Sequence, residues 1–213
     1  MHEHTIPLLK TLRIEGFKSI KSATIDLGPV NVFIGPNGGG KSNMLMALRL
    51  LGIVGRPGFR LYVGKRGGAA RFLHFGPTTT DECEISTEFV DGSSYWGYNA
   101  RLAYSDGDRL VFSKHQLYYR DDNDDFTTLD LGSGYDECDI DFELKRLSHT
   151  RLAPIGSFID GVCYYHFHDT STTAPMRQNA RQSDTRCLNF DGSNLASWLY
   201  WISQSTDDML ATN

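Results

Sequence analysis

The stretch Gly35-Pro-Asn-Gly-Gly-Gly-Lys-Ser42 decides the fold of this chain, because it matches the pattern G-x-x-x-x-G-K-[ST] in full. It follows the short apolar run Val30–Ile34, which is typical of a strand buried on both faces of a sheet. It leads into Lys41–Ile53, where apolar residues surround most of a helix and predict that the helix is buried. A strand, a glycine-rich turn and a helix in this order predict an α/β fold whose turn binds phosphate.

The residue types in this turn suit a nucleoside triphosphate, and ATP with Mg²⁺ is the expected ligand. Glycine lets the backbone curl around phosphate oxygens, so that N–H groups and the positive end of the helix face them. Lys41 supplies a point charge for the β- and γ-phosphates, and Ser42 offers a hydroxyl ligand to Mg²⁺. The predicted nucleotide-binding residues of the turn are Gly35, Pro36, Asn37, Gly38, Gly39, Gly40, Lys41 and Ser42.

Away from the turn, the hydrophobic pattern alternates. Leu8–Ile14 and Ala23–Leu27 predict two strands, and Arg56–Ala70, with a proline and several glycines, predicts a loop. The middle of the chain predicts an antiparallel meander of four alternating segments, two of whose junctions carry an Asp-Gly turn signal. These segments are Glu82–Val90, Tyr95–Tyr104, Arg109–Arg120 and Phe126–Leu131. Gly161–Phe167 predicts a further strand, and Asn194–Ser203 predicts a helix.

Length and composition bound the class of protein. The 213 residues suffice for one well-cored domain, or for one domain with a small subdomain. The formal net charge of -5 excludes a surface that is basic all over, but not a local basic patch. The four cysteines form no C-x-x-C pair, and the sequence has neither a signal pattern nor an apolar stretch of membrane-spanning length. We therefore expect a cytoplasmic protein without membrane contact.

The turn and its flanks resemble the ABC-type ATPases of the SMC, RecF and RecN group, which act on DNA. Phe33–Asn43 carries asparagine at positions 37 and 43, as that group favours. Leu9–Ile20 is similar to the first strand of that group and the phenylalanine–lysine–serine stretch that follows it. Tyr165–Ser171 and Asp191–Ala196 resemble RecF-like ATPases of bacteria, some of which serve in phage defence.

The resemblance implies the N-terminal lobe of an ABC-type ATPase head, an α/β P-loop NTPase fold with an antiparallel β-meander subdomain. We expect three regions in one incomplete ATPase domain: strands, P-loop and helix in 1–75, the β subdomain in 76–160, and a returning strand and helical segment in 161–213. The implied partners are ATP, a second head or the C-terminal lobe of the same ATPase, and DNA or a defence effector protein.

The resemblance also assigns site residues. It adds three to the predicted nucleotide site: Lys18, Ser19 and Asn43. Asn37 would lie near the γ-phosphate or the attacking water, and the Lys-Ser pair would line the base and ribose. His168 and Asp169 would lie where the family senses the metal and the γ-phosphate, which makes them candidate metal-binding residues beside Ser42. The family usually carries glutamine there, and this chain does not.

Several parts of a complete head are missing from the sequence. An apolar strand ending in Asp-Glu would hold Mg²⁺ and polarise the attacking water, yet Phe89–Asp91 and Phe158–Asp160 lack the glutamate. The sequence has neither an LSGG-type signature loop nor a later histidine switch. We therefore expect the N-terminal part of a longer ATPase, which exposes apolar surface and hydrolyses ATP poorly without its C-terminal lobe or a partner.

Two other functions remain open. A nucleotide-dependent interaction module without catalysis would also lack the acidic pair. A P-loop kinase would need an arginine lid, which Arg177, Arg181 and Arg186 could imitate, but the antiparallel meander does not fit such an enzyme. A GTPase would need an Asn-Lys-x-Asp guanine reader, and the sequence has none.

Three weaker patterns have alternative interpretations. His166 and His168 with Asp169 could bind zinc, although no third strong ligand has the required spacing. Asp121–Asp125 lacks the glycine and glutamate of an EF-hand and predicts a solvated hairpin end. A basic segment could contact nucleic-acid phosphates, with Phe59 or Tyr62 stacking, or could be a solvated charged loop. Its residues are Arg56, Arg60, Lys65, Arg66 and Arg71.

Overall fold

A six-stranded antiparallel sheet organises the first part of the chain in the computed structural model, which describes residues 8–92, 94–120, 126–148, 150–165, 167, 171–179 and 188–210. The strands are β1 (Leu8–Phe17), β2 (Ile20–Asp26), β3 (Glu82–Asp91), β4 (Ser94–Ser105), β5 (Arg109–Arg120) and β6 (Phe126–Asp130). The α-helices are α1 (Lys41–Val54), α2 (Phe59–Lys65), α3 (Ile140–Arg146), α4 (Ala153–Gly161) and α5 (Leu195–Leu210). Single 3₁₀ turns occur at Ala69–Arg71, Thr150–Leu152 and Pro175–Arg177.

The strand order is β2-β1-β3-β4-β5-β6, so the N-terminal hairpin and the meander form one layer, as predicted. β1 pairs with β2 on one side and with β3 on the other, and each later strand pairs with its neighbour in sequence. Antiparallel neighbours need only short connections, which is why the alternating pattern and its turn signals were sufficient to predict this part.

One face of the sheet forms the core, because alternate residues of each strand point to the same side. Leu12, Ile85 and Tyr98 are fully buried there. Helix α1 buries its apolar side in the same core through Leu50 and Leu51. This packing holds the first residues of α1, where the glycine-rich turn ends, beside the turn between β1 and β2.

The core also contains a histidine whose two ring nitrogens both have partners. Tyr98 Oη lies 2.9 Å from His115 Nε2, and His115 Nδ1 lies 2.8 Å from Tyr135 Oη. Tyr135 donates its own proton to the carbonyl oxygen of Leu131 at 3.0 Å, so its oxygen accepts from the Nδ1–H group and Nε2 accepts from Tyr98. The ring is therefore neutral, and burial lowers the pKa of His115 to about 3.

We expect this histidine to make the folded state sensitive to acid. Its pKa is depressed from the unfolded value of about 6.5, so its contribution to the free energy of unfolding is complete above that pH and is lost as the pH falls toward 3. The loss approaches about 1.4 kcal/mol per pH unit within that window. Urea unfolding at several pH values measures how steeply the free energy of unfolding changes with pH. This slope should be smaller in His115→Gln, whereas Tyr98→Phe, which keeps the histidine, should retain the wild-type slope. Equal slopes in wild type and His115→Gln would contradict the assignment.

The strand predicted before the glycine-rich turn does not form, and this prediction was wrong. Residues 30–34 run without regular structure and make no backbone hydrogen bond to another described residue. The side chains of Val30, Val32 and Ile34 are 84%, 79% and 89% exposed. A strand needs a hydrogen-bonded neighbour, and the described part of the chain supplies none here. The expected exposed apolar surface is therefore present.

The segment predicted as a loop after α1 contains helix α2 instead. Glu137 stabilises the start of this helix, because its carboxylate accepts from the backbone N–H groups of Gly58, Phe59 and Arg60 at 2.8, 3.2 and 2.9 Å. A carboxylate at a helix N-terminus satisfies the unpaired N–H groups and opposes the helix dipole. This partner lies almost eighty positions along the chain, so local sequence did not reveal the helix.

The C-terminal part of the prediction is only partly confirmed. Helices α3 and α4 were not predicted, and Phe158–Asp160 lies within α4 rather than at the end of a strand. Residues 162–165 and 167 are irregular, so the described part of Gly161–Phe167 contains no strand. The helix predicted over Asn194–Ser203 is confirmed as α5.

The chain divides into two compact units, Met1–Val162 and Cys163–Asn213. The sheet and α1–α4 belong to the first, and α5 belongs to the second, together with the turn that carries Arg177. Several predicted residues lie outside the described part of the chain: Asp121–Asp125, His166, His168, Asp169, Arg181 and Arg186. Among the described residues, no helix is both long enough and apolar enough to cross a membrane.

Candidate nucleotide-binding site

The glycine-rich turn adopts a backbone that requires glycine at two positions. Gly38 and Gly40 have φ angles of 82° and 86°, in the left-handed region that residues with a Cβ atom rarely adopt. The N–H group of Gly39 donates to the carbonyl oxygen of Pro36 at 3.1 Å, which closes the turn. Gly40 is also the N-cap of α1, so the turn leads directly into the helix.

The start of α1 presents unpaired donors. Within the described residues, the backbone N–H groups of Gly38, Gly40 and Lys41 donate to no other group. The first turn of α1 contains no acidic residue that would oppose the positive end of its dipole. Unpaired N–H groups at the positive end of a 14-residue helix favour an anion such as phosphate.

The ammonium group of Lys41 lies at the mouth of the turn. Lys41 Nζ donates to the carbonyl oxygens of Gly35 and Pro36, each at 2.7 Å. Ser42 follows it in the first turn of α1, and its side chain is exposed. A point charge and a hydroxyl group therefore lie next to the free N–H groups, which is the donor set that a triphosphate with Mg²⁺ needs.

The turn is braced against the N-terminal hairpin. Asn43 Nδ2 donates to Ser19 Oγ at 2.7 Å, which links α1 to the turn between β1 and β2. The two turns come close at Gly40, where an added Cβ atom would lie 3.6 Å from Ser19 Oγ. Two residues that the family resemblance placed in the nucleotide site are thus in direct contact.

Lys18 points away from the glycine-rich turn. It has a φ of 51°, and its Nζ atom donates to the carbonyl oxygen of Arg71 at 2.8 Å. Burial lowers the pKa of Lys18, and the positive charges of Arg66 and Arg71 lower it further. The predicted contact of Lys18 with the base or ribose stays a prediction.

A cleft of about 590 Å³ opens beside the turn, within the volume range of about 300–1,000 Å³ that small-molecule sites have. The glycines of the turn and Lys41 line one side. Ser19, Ala23 and Ile25 of the hairpin line the opposite side, and Phe33 and Ile34 contribute apolar surface. The lining therefore combines polar groups with apolar side chains.

The sequence did not single out one cation on the wall of this cleft. Lys21 lines it beside Ser22, both on β2. The sequence placed the start of this strand at Ala23, three residues later than the structure does. A strand predicted to begin at Ile20 would have included Lys21, two positions after Ser19, among the residues expected near the site.

The aspartates that end the two short apolar segments noted in the sequence lie on other elements of the fold. Asp160 lies on α4, where its Oδ1 atom accepts from Arg56 Nε at 2.7 Å. Asp91 ends β3 at the hairpin to β4. Within the described residues, no cluster of three or more His, Cys, Asp or Glu side chains could hold a metal ion.

Comparison with known proteins identifies the family. Residues 11–152 match the AAA domain family AAA_23. A segment of 59 residues is 46% identical to the DNA replication and repair protein RecF of Psychromonas ingrahamii, and it covers 27% of this chain and 16% of that protein. A solved structure described as "Structural biochemistry of ATP-driven dimerization and DNA stimulated activation of SMC ATPases" aligns with a TM-score of 0.34 and 18% identity, over 73% of this chain and 77% of that one.

The fold and the glycine-rich turn define a P-loop NTPase of the ABC type, which confirms the predicted class. The family match covers more than half of the chain, so the protein belongs to the AAA domain family AAA_23. The match to RecF confirms the SMC/RecF-like resemblance of the N-terminal portion. The chain spans about a sixth of the length of that relative, since the match covers 16% of it.

Proposed function

We propose that this chain binds ATP with Mg²⁺ at residues 35–43 and is part of an SMC/RecF-like ATPase head that serves DNA repair or maintenance. The observation that carries the proposal is the turn itself: Gly38 and Gly40 have left-handed φ angles, and within the described residues the N–H groups of Gly38, Gly40 and Lys41 have no partner. The family supports the choice of ATP, and the RecF segment supports a role connected with DNA.

Each polar residue of the turn then has a role. Lys41 exchanges at least one of its loop carbonyl partners for a phosphate oxygen, which keeps the charge-assisted bonds short and strong. Ser42 would provide a hydroxyl ligand for Mg²⁺, and the ion would supply positive charge against the phosphates. Asn43 donates a hydrogen bond to Ser19 and so keeps the hairpin wall of the cleft in place.

Hydrolysis is proposed only for the head in its complete form. Water activation needs a carboxylate near the γ-phosphate, whereas Asp160 lies on α4 and accepts a hydrogen bond from Arg56. Residues 30–34 make no backbone hydrogen bond to another described residue and expose apolar side chains, which suits pairing with a strand of the C-terminal lobe. Two such heads would then associate around ATP.

The alternative is an interaction module that binds nucleotide without hydrolysing it. The ion pair of Asp160 favours it, because this carboxylate is neutralised away from the turn. In either case the pathway is proposed as DNA repair or maintenance, with phage defence as the second candidate.

Calorimetric titration with ATP, with and without Mg²⁺, tests the proposal. Wild type should bind Mg²⁺·ATP, and Ser42→Ala should lose roughly tenfold in affinity in Mg²⁺ but little in its absence, because one charged-group contact contributes about 1.5–3 kcal/mol. Ser113→Ala, an exposed hydroxyl on β5, is the matched control. Phosphate release in the same samples separates the two functions: turnover that appears only with a C-terminal lobe supports the ATPase head. Absence of any ATP binding by wild type would reject both.

A further inference from the structure

The positive charge of this protein is concentrated in one segment. Residues 27–80 contain seven of the 21 lysines and arginines and none of the 26 aspartates and glutamates. The chain as a whole has a net charge of -5, so the rest of it is strongly acidic. Segregated charge of this kind creates a local positive field in an acidic protein.

The structure places Arg66 of this segment, and Lys18 from before it, over two aromatic rings that contact each other. Tyr62 and Phe72 meet edge to face, with their centroids 6.0 Å apart. Arg66 lies over the Tyr62 ring with its Cζ atom 5.4 Å from the centroid, and Lys18 Nζ lies 5.2 Å from the centroid of Phe72. The carbonyl oxygen of Arg71 accepts from Lys18. We call Lys18, Arg66 and Arg71 the cationic cluster.

In the part of the chain that the structure describes, no carboxylate pairs with the cluster. No ion pair between described residues includes Lys18, Arg66 or Arg71. The two arginine side chains are exposed, and burial together with their positive charges lowers the pKa of Lys18. Cations held together in this way repel one another, and an anion that binds between them relieves the repulsion.

The backbone that carries the arginines is held in place. Asp108, at the turn between β4 and β5, accepts from Ala70 N at 2.9 Å through Oδ1 and from Ala69 N at 3.0 Å through its carbonyl oxygen. These bonds fix the short 3₁₀ turn that ends at Arg71. Arg71 therefore belongs to a hydrogen-bonded turn and Arg66 is the C-cap of α2, so neither lies on a free loop, which lowers the entropic cost of binding a ligand.

The cluster lies outside the nucleotide cleft. None of its three residues lines that cleft, although Ser19 does. Arg60 and Lys65 of α2 are further exposed cations. The positive charge is therefore spread more widely than a single compact ligand requires. Of the basic segment considered from sequence, Arg56 is engaged by Asp160 and Phe59 is fully buried, so neither contributes.

We propose that the cationic cluster, extended by Arg60 and Lys65, binds the phosphodiester backbone of DNA. A row of exposed arginines and lysines matches successive backbone phosphates, whereas the glycine-rich turn already provides for one triphosphate. The proposal rests on the proposed function only for the choice of DNA as the polyanion. Contacts to phosphates alone make the binding independent of base sequence.

The test is fluorescence anisotropy with a labelled 20-base-pair duplex over a range of salt concentrations. Arg66→Gln/Arg71→Gln should lower the affinity at least about tenfold and reduce the slope of log K against log salt by about 2, because each lost phosphate contact contributes about 0.9. Lys10→Gln/Lys114→Gln removes two exposed charges from β1 and β5 and should change neither. Arg66→Lys/Arg71→Lys keeps the charges and should retain most of the slope.

Calorimetry with Mg²⁺·ATP on the same variants separates this proposal from the nucleotide site. Unchanged ATP affinity in Arg66→Gln/Arg71→Gln, together with weaker DNA binding, supports it. Unchanged DNA affinity and slope would overturn it, as would wild type that does not bind the duplex. A fall in ATP affinity in that variant would assign the cluster to the nucleotide and also overturn it. Wild type that binds DNA but not ATP would reject the proposed function and leave this surface standing.

Discussion

Replacing Lys41 with alanine is expected to lower the affinity for Mg²⁺·ATP at least about 100-fold, because two charge-assisted contacts to phosphate at about 1.5–3 kcal/mol each are lost. The free N–H groups of the turn and the Ser42 hydroxyl remain in the variant, so binding is weakened rather than abolished. The variant also loses the bonds from Nζ to Gly35 and Pro36, which widens the mouth of the turn. Calorimetric titration of wild type and variant measures the change directly.

Lys114→Ala is the control for this experiment, since it removes an exposed lysine of β5 outside the cleft. Its ATP affinity should equal that of wild type. Circular dichroism should show that Lys41→Ala keeps its secondary structure, because α1 is held by Leu50 and Leu51 in the core. ATP binding by Lys41→Ala within threefold of wild type would mean that the turn does not bind phosphate as proposed.

Gly68→Ala is expected to lower the free energy of unfolding by about 3 kcal/mol, because an unfavourable backbone and a steric clash coincide. Gly68 has φ 86° and ψ 174°, a conformation that is essentially restricted to glycine. A Cβ atom added there would lie 1.7 Å from Asp108 Oδ2. The carboxylate cannot move aside freely, because its other oxygen accepts from Ala70 N at 2.9 Å. Urea unfolding followed by circular dichroism measures the loss.

Gly64→Ala provides the matched control, because Gly64 lies within α2 and nothing lies within 4 Å of an added Cβ atom. It should raise the free energy of unfolding by up to about 1 kcal/mol. Gly68→Ala/Asp108→Ala tests the clash separately: its loss should be smaller than the sum of the two single losses. If the free energy of unfolding of Gly68→Ala lies within about 0.5 kcal/mol of the wild-type value, the strained turn beside the cationic cluster is not rigid.

The alternating pattern was enough to predict the meander, because each of its strands pairs with a neighbour in sequence across a short turn. Helix α1 was predicted for a similar reason: its pattern and the glycines before it act locally. Helix α2 was missed because its cap, Glu137, comes from a distant position. The strand over Val30–Ile34 was wrongly predicted, since its pattern indicates burial but the described chain contains no neighbour to pair with it.

The candidate site divides along the same line. Its loop residues were predicted individually, because phosphate binding depends on consecutive backbone groups and on side chains next to them in sequence. The assignment of Asn43 and Ser19 to the site came only from family resemblance, and their mutual contact was found only in the structure. Lys21 on the cleft wall was not predicted, since its position depends on where β2 begins.

The sequence by itself determined the glycine-rich turn, the helix after it and the family, because these depend on residues that are neighbours along the chain. Only the tertiary structure decided which charges meet. It brought Lys18, which precedes α1 in the sequence, close to Arg66 and Arg71, which follow that helix. It also paired Arg56 with Asp160. It also made His115 neutral by burying it between two tyrosines. Charge pairing and burial depend on distances in space, which a pattern along one chain does not contain.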